Sequence, residues 1–207
     1  DPVKNLVEAM GKGHIRLGYA ALESCGLEKV TFIPAACPPH KKNVTVSSFY
    51  HRRKMLEIAV AGEDRFSVSD MEAGLDIPSY TYLTLRKMKE TLGDKCINFI
   101  IGSDAFIEIE SWKNWREVIA NVNFIIAVRP GSNLNELHLF LNDHGFSGST
   151  GKKWKQRNSK FSIEVLKSDF ADISSTDIRT KIENNEEWER LLPSKVVEYI
   201  ILNKLYS

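Results

Sequence analysis

Two short stretches near the start of the chain contain residue types suited to binding phosphate. In GKGH, residues 11–14, Gly13 and His14 lie in the opening turn of a predicted helix, where free N–H groups attract anions. In PPHKKN, residues 38–43, two prolines stiffen a loop that presents cations such as Lys41 to a polyphosphate. An ordinary helix start and a basic surface loop are the alternatives for each stretch taken alone.

A third stretch, ADISSTDIR at residues 171–179, begins a predicted helix with three successive hydroxyl side chains. Ser174, Ser175 and Thr176 can converge on one anion, and Arg179 follows about one turn later. Helix capping by a serine is the alternative. Three hydroxyls and an arginine exceed what capping requires, so we favour phosphate binding.

The fourth stretch, IIGSDAFIEIESWKNW at residues 100–115, leads from a predicted strand into Gly102 and Asp104. Asp104 can accept a hydrogen bond from a ribose hydroxyl, and Trp112 or Trp115 can stack on a heteroaromatic ring. A position in the core is the alternative for both tryptophans, and we expect it of one of them.

Together, the four stretches describe a site for a polyphosphate, a ribose and an aromatic ring, with no candidate pair of nucleophile and base. Phosphoryl or nucleotidyl transfer can proceed by positioning and neutralisation of charge, without a covalent intermediate. This chemistry fits the residues better than covalent catalysis does.

Predicted strands alternate with predicted helices along most of the chain, which is typical of α/β proteins. The strands are predicted at residues 29–35, 65–70, 96–102, 123–131 and 161–168. The pattern predicts a doubly wound, Rossmann-like parallel sheet in one domain, residues 1–207, with a small helical part at residues 172–207. Residues 148–160 are polar, and we expect them to be mobile. Ligands bind such sheets beyond the carboxyl ends of the strands, where the four stretches fall.

The composition of the 207-residue chain limits the classes of partner. Its net charge of +1 gives no overall field to attract nucleic acid or an anionic membrane, so we expect neither partner. Three separated cysteines form no metal-binding pattern, and no apolar run approaches the roughly 20 residues that cross a bilayer. We expect a cytoplasmic protein, and homo-oligomerisation stays open.

The order of the motifs resembles that of bacterial nicotinate mononucleotide adenylyltransferases, a family of Rossmann-like nucleotidyltransferases. The motifs are a GxGH helix start, PPHK, SYTYLTL at residues 79–85, GSDAF followed by WKNW, and ISSTDIR. GxGH and ISSTDIR alone indicate only the wider group, which includes the pantetheine-phosphate enzyme. PPHK, SYT and GSDxF with its following tryptophan are more specific, and the resemblance covers nearly the whole chain.

The resemblance implies that the protein joins ATP and nicotinate mononucleotide to give deamido-NAD and pyrophosphate, with Mg²⁺ held mainly by the substrate phosphates. The phosphate of the mononucleotide would attack the α-phosphorus of ATP, with His14, Lys41 and Arg179 as catalytic residues. The residues implied in ATP binding are Gly13, His14, Ser174, Ser175, Thr176 and Arg179.

The resemblance also implies the residues that bind the mononucleotide. Thr81 would face the nicotinate carboxylate, and Trp112 would stack on the pyridine ring. Gly102 and Asp104 would contact sugar or phosphate, with Arg129 near the nucleotide. Nicotinamide mononucleotide and phosphopantetheine are alternative substrates, and a non-catalytic nucleotide-binding module is an alternative of another class.

The opening of the chain departs from the family pattern, in which an apolar strand and a GGTFDP segment precede HxGH. Here DPVKNLVEAM precedes GKGH, and Gly11 stands where the first motif histidine would be. We therefore expect the first strand of the sheet to be missing. A natural start upstream of Asp1 or an altered segment at residues 4–10 is our hypothesis for this opening, and an impaired enzyme is the alternative.

Overall fold

The computed structural model describes most of the chain. The described residues are 2–6, 12–37, 47–75, 78–93, 95–148, 152–157, 159–167 and 175–206. Lys41 and Ser174, both predicted site residues, lie outside the described residues.

The strands of the described residues form one eight-stranded sheet in the order β3-β2-β1-β4-β5-β8-β7-β6. The pairs from β3 to β8 are parallel, while β7 and β6 add an antiparallel edge. The strands are β1 Pro2–Leu6, β2 Lys29–Ile33, β3 Phe66–Val68, β4 Asn98–Gly102, β5 Asn123–Val128, β6 Phe146–Gly148, β7 Lys153–Gln156 and β8 Ser162–Lys167.

Helices connect the parallel strands, as predicted for an α/β fold. The α-helices are α1 Lys12–Ser24, α2 Phe49–Val60, α3 Thr81–Leu92, α4 Ser103–Ile107, α5 Trp115–Ile119, α6 Leu134–Asp143, α7 Ser175–Glu183 and α8 Ser194–Leu202. Short 3₁₀ helices occur at Met71–Gly74, Ile109–Ser111 and Glu189–Leu191. The side chain of Ser48 caps α2, and Gly93 ends α3 with φ 64°, a backbone conformation that favours glycine.

The expectation that the first strand is missing is wrong. Residues Pro2–Leu6 form β1 in the middle of the parallel sheet, where Val3 pairs with Val30 of β2 and with Asn98 of β4. The sequence of β1 gave no strand signal, because Pro2, Lys4 and Asn5 interrupt any apolar run. Backbone hydrogen bonds to two neighbouring strands define this element, and hydrophobic patterning does not report them.

The polar stretch at residues 148–160, for which we expect mobility, contains strand residues in its described part. β6 and β7 form an antiparallel ladder, and Trp154 is buried in an otherwise polar strand. A Cβ at Gly148 would lie 2.7 Å from the carbonyl oxygen of Lys153, so the two strands approach closely at glycine. One buried aromatic residue among lysines explains why composition alone missed the strand.

The core is divided between the two faces of the sheet. Successive residues of β4 and β5 point to opposite faces, so Phe99 and Phe124 pack with α3 to α6, whereas Ile100 and Ile125 pack with α1 and α2. A third cluster joins α7 and α8 to α2 through residues such as Met55 and Val196. Helices on both faces make the sheet doubly wound.

Candidate active site

The strand order creates a crevice between β1 and β4. From β1 the chain passes through α1 to β2 on one side, and from β4 it passes through α4 to β5 on the other. Connections that diverge from adjacent parallel strands leave a gap at their carboxyl ends, which is where ligands bind in open α/β sheets. His14 lies in the first turn of α1, and Asp104 lies in the first turn of α4, so the topology brings two predicted site residues to this gap.

Three predicted residues form a close cluster at the ends of β4 and β5. The carboxylate of Asp104 lies 3.5 Å from Nη1 of Arg129, just beyond β5. A Cβ at Gly102 would lie 2.4 Å from Oδ1 of Asp104 and 3.7 Å from Nη2 of Arg129. Glycine at the end of β4 therefore allows the carboxylate to fold back over the strand, toward the guanidinium.

His14 lies beside this cluster and is uncharged. Its Nδ1 atom is buried and has no hydrogen-bond partner within the described part of the chain. Burial, followed by the nearby positive charge of Arg129, lowers the pKa of His14 from 6.5 to about 4. A Cβ at Gly13 would meet no atom within 4 Å, so space remains next to the first turn of α1. The neutral imidazole therefore keeps one unused hydrogen-bonding atom among the described residues.

The helix that carries ISSTDIR forms as predicted. α7 begins at Ser175 and includes Thr176, and the side chain of Arg179 is buried. A buried guanidinium requires acceptor groups, because an uncompensated charge is costly to remove from water. The phosphate-binding roles of Ser175, Thr176 and Arg179 stay predictions.

A second group of residues lies where α3 begins. Thr81 is the first residue of α3, whose first turn contains no acidic residue, and no side chain of the described residues caps this end. The ammonium group of Lys113 lies 4.6 Å from the centre of the Tyr80 ring, directly before the helix. The positive charge of Lys113 therefore lies against the residue that precedes the helix, and a helix N-terminus favours an anion.

Both tryptophans near α5 are only partly buried. Trp112 makes an edge contact with Phe99 of β4, with ring centres 6.3 Å apart, and Trp115 packs on His144 at 5.7 Å. Each contacts the core cluster while keeping some exposed surface. Stacking of Trp112 on a ligand ring stays a prediction.

Sequence reasoning missed a buried polar network beside this group. Among the described residues, the buried polar or charged side chains are Arg52, Glu72, Ser79, Thr84, Ser103 and Arg179. The first four belong to the network, and they bond to one another or to the backbone just after β2. Arg52 and Thr84 stand on helix faces that are otherwise apolar, which was the available signal.

Two further features of the described residues limit what the site can contain. Within those residues, no group of three His, Cys, Asp or Glu side chains is arranged to hold a metal ion. None of the helices in the described ranges is long and apolar enough to cross a membrane.

The neutral state of His14 predicts a particular dependence of stability on pH. The unfolded chain takes up a proton at His14 near pH 6.5, but the folded chain does so only near pH 4. The contribution of neutral His14 to the free energy of unfolding is therefore complete above pH 6.5 and is lost as the pH falls toward 4. From pH 7 to pH 5, the free energy of unfolding measured in urea should fall by about 2 kcal/mol more for the wild type than for His14→Gln. Parallel pH profiles for the two proteins would contradict this account of His14.

Comparison with known proteins identifies relatives over most of the chain. The cytidylyltransferase-like family model matches residues 10–181. A Desulfotalea psychrophila protein named "Probable nicotinate-nucleotide adenylyltransferase" is 35% identical over 197 residues, covering 94% of this chain and 92% of its own length. A Clostridium botulinum (strain Okra) protein of the same name is 36% identical over 209 residues, covering 100% and 94%.

Solved structures show the same fold. Plasmodium falciparum nicotinic acid mononucleotide adenylyltransferase, solved with NaAD, matches with a TM-score of 0.75 at 15% identity, over 99% of this chain and 96% of that one. A putative nicotinate-nucleotide adenylyltransferase from Vibrio parahaemolyticus matches with a TM-score of 0.63 at 16% identity, over 100% and 95%. Full-length similarity to the two curated relatives and the match to the family model together show that the chain belongs to the nicotinate-nucleotide adenylyltransferases, a family of cytidylyltransferase-like nucleotidyltransferases.

Proposed function

We propose that the protein transfers the adenylyl group of ATP to nicotinate mononucleotide, forming deamido-NAD and pyrophosphate. The observation that carries the proposal is the cluster of Gly102, Asp104 and Arg129, with His14 beside it, at the crevice between β1 and β4. The names of the curated relatives and the NaAD bound to the Plasmodium enzyme support this choice of reaction.

In the proposed mechanism, catalysis rests on positioning and on neutralisation of charge. An oxygen of the mononucleotide phosphate attacks the α-phosphorus of ATP, and the bond from that phosphorus to the β-phosphate bridge breaks in line. The electron pair leaves with pyrophosphate, whose growing charge is stabilised by His14, Lys41 and Arg179. Gly13, Ser174, Ser175 and Thr176 contribute groups that bind the ATP phosphates.

The free, neutral state of His14 suits this role. A neutral imidazole is not repelled by Arg129 before substrate arrives. The negative triphosphate raises the pKa of His14 when it binds, which strengthens donation from the ring to a phosphate oxygen.

On the mononucleotide side, Asp104 and Gly102 contact the sugar or phosphate, Arg129 adds positive charge, and Trp112 stacks on the pyridine ring. The carboxylate of nicotinate faces Thr81, because the uncapped start of α3 offers N–H groups to an anion. Lys113 adds a positive charge at the same place. This electrostatic arrangement favours the acid over the amide.

Mg²⁺ fits this site as an ion that arrives with ATP. The cluster of Gly102, Asp104 and Arg129 contains one carboxylate, which already faces a guanidinium, so it does not form a cage for a cation. We propose that the phosphates of ATP hold the ion, which neutralises part of their negative charge.

The setting of the reaction belongs to the same proposal. We expect one domain in the cytoplasm, in line with Cys25, Cys37 and Cys96 as free thiols in the structure. Binding of ATP and nicotinate mononucleotide requires neither nucleic acid nor a membrane. A homo-oligomer stays a prediction.

The direct test is pyrophosphate release by the purified chain with ATP and Mg²⁺. Nicotinate mononucleotide and nicotinamide mononucleotide are supplied in parallel. We expect kcat/KM to be at least about tenfold higher with the acid, because one additional charge interaction is enough to give such a difference. Deamido-NAD is identified by mass spectrometry. Binding of ATP without pyrophosphate release from either substrate would contradict the proposal and favour a non-catalytic binding module.

Gly102→Ala tests the cluster at the end of β4. The added Cβ displaces only the end of the Asp104 side chain, so the free energy of unfolding should change by less than about 1 kcal/mol. The misplaced carboxylate should lower kcat/KM about 10- to 100-fold. Gly74→Ala is the matched control, because its Cβ would meet nothing within 4 Å and it should keep full activity. Equal activity of the Gly102→Ala and Gly74→Ala variants would show that Asp104 has no role in the site.

Lys113→Met tests the charge beside α3. Removing one partly solvated charge near the nicotinate carboxylate should raise KM for the acid about fivefold and leave KM for the amide unchanged. Lys87→Met is the control, since Lys87 lies on α3 but pairs with Glu90 at 3.3 Å. An equal change for both mononucleotides would show that Lys113 does not read the carboxylate.

A further inference from the structure

The chain just after β2 leaves the sheet but stays hydrogen-bonded to side chains of neighbouring elements. Side chains replace the missing ladder partners: Arg52 donates to the carbonyl oxygens of Ala35 at 2.6 Å and Ala36 at 3.2 Å. Ser79 makes two bonds with Cys37, because its Oγ accepts from the Cys37 N–H at 2.9 Å and its own N–H donates to the Cys37 carbonyl at 2.9 Å. Cys37 is thereby bound to a residue that leads into α3.

Glu72 connects the same segment to α3 itself. It is 1% exposed and lies in the 3₁₀ helix Met71–Gly74. Its Oε2 accepts from the N–H of Ala36 at 3.2 Å, and its Oε1 accepts from the hydroxyl of Thr84 at 2.7 Å. Thr84, which is 0% exposed, lies one turn after Thr81. One carboxylate therefore spans from the end of β2 to the first turns of α3.

Stability alone does not require this arrangement. A buried carboxylate loses its hydration, and an apolar pair of similar volume often gives equal or greater stability. The bond to Thr84 instead fixes the rotation of α3 about its axis. The N–H groups at the start of a helix point along its axis, and this rotation decides where around the axis those near Thr81 lie.

We propose that Glu72 and Thr84 form a latch that positions the start of α3 for the carboxylate of the mononucleotide. This inference rests on the proposed function, in which α3 binds nicotinate. Both side chains are buried, and the bond between them acts on the substrate through α3, so they are positioning residues. Loss of the latch weakens binding of the acid, while the ATP side and the chemical step stay intact.

The test compares Thr84→Val with Thr84→Ser. Valine keeps the branched shape without the hydroxyl, whereas serine keeps the hydroxyl that reaches Glu72. We expect Thr84→Val to raise KM for nicotinate mononucleotide about tenfold, with kcat and KM for ATP within about twofold of wild type, from the loss of one charge-assisted hydrogen bond. Thr84→Ser should restore KM to within about threefold. The preference for acid over amide should fall in Thr84→Val only.

Matched variants separate positioning from folding. Thr91→Val changes an exposed residue of the same helix and should keep the wild-type kcat and KM values. Thr84→Ala, which also lacks the hydroxyl and favours helix, replaces Thr84→Val if the latter does not fold. All constants are measured below the Tm of each variant, which is determined by circular dichroism.

Three outcomes would overturn the latch. The first is a lower Tm with unchanged KM for the acid. The second is an equal rise of KM for ATP and for the mononucleotide, and the third is no rescue by serine. Absence of activity in the wild-type chain would instead reject the proposed function, so the two failures are distinguishable.

Discussion

The parallel pairing of β1 with both β2 and β4 is the constraint on which the site depends. Because β1 separates these strands, the chain can leave β1 toward one side and β4 toward the other. Without β1, β2 and β4 would meet directly, and the start of α1 would not lie beside Asp104. The crevice and the position of His14 therefore follow from a five-residue strand, Pro2–Leu6, whose own sequence is not apolar.

The carboxyl edge of the sheet also contains buried polar groups that the core does not need. Glu72 and Thr84 bridge two elements, and Gly102 leaves room for a carboxylate over its own strand. Low polarity around such groups strengthens each hydrogen bond, but it makes any unpaired group expensive. The same desolvation keeps His14 neutral. Rigidity at this edge and the altered titration of His14 thus share one physical cause.

Much of this arrangement could be predicted from the sequence, and the rest could not for identifiable reasons. Buried strands such as Phe124–Val128 and helix ends such as Ser48 and Gly93 follow from local apolar runs and capping chemistry. The predicted strand at residues 96–102 placed Asp104 just beyond a strand end, the resemblance placed Arg129 near the nucleotide, and the structure brings the two together. β1 was missed because its place depends on pairing with strands distant in sequence. Glu72 was missed because a lone acidic residue in a short 3₁₀ helix reads as a surface residue until burial is known.

The distribution of charge explains how a chain of net charge +1 can bind two anionic substrates. Arg129 and Lys113 lie near the proposed site, and the uncapped start of α3 adds part of a charge, while Asp104 is the carboxylate beside Arg129. Elsewhere, basic groups pair with acids, as Arg86 does with Glu117 and Lys181 with Glu186. Pairing across the surface removes the long-range field, which salt would screen in any case. Recognition then depends on a few charges at one edge, where fixed geometry rather than total charge selects the ligand.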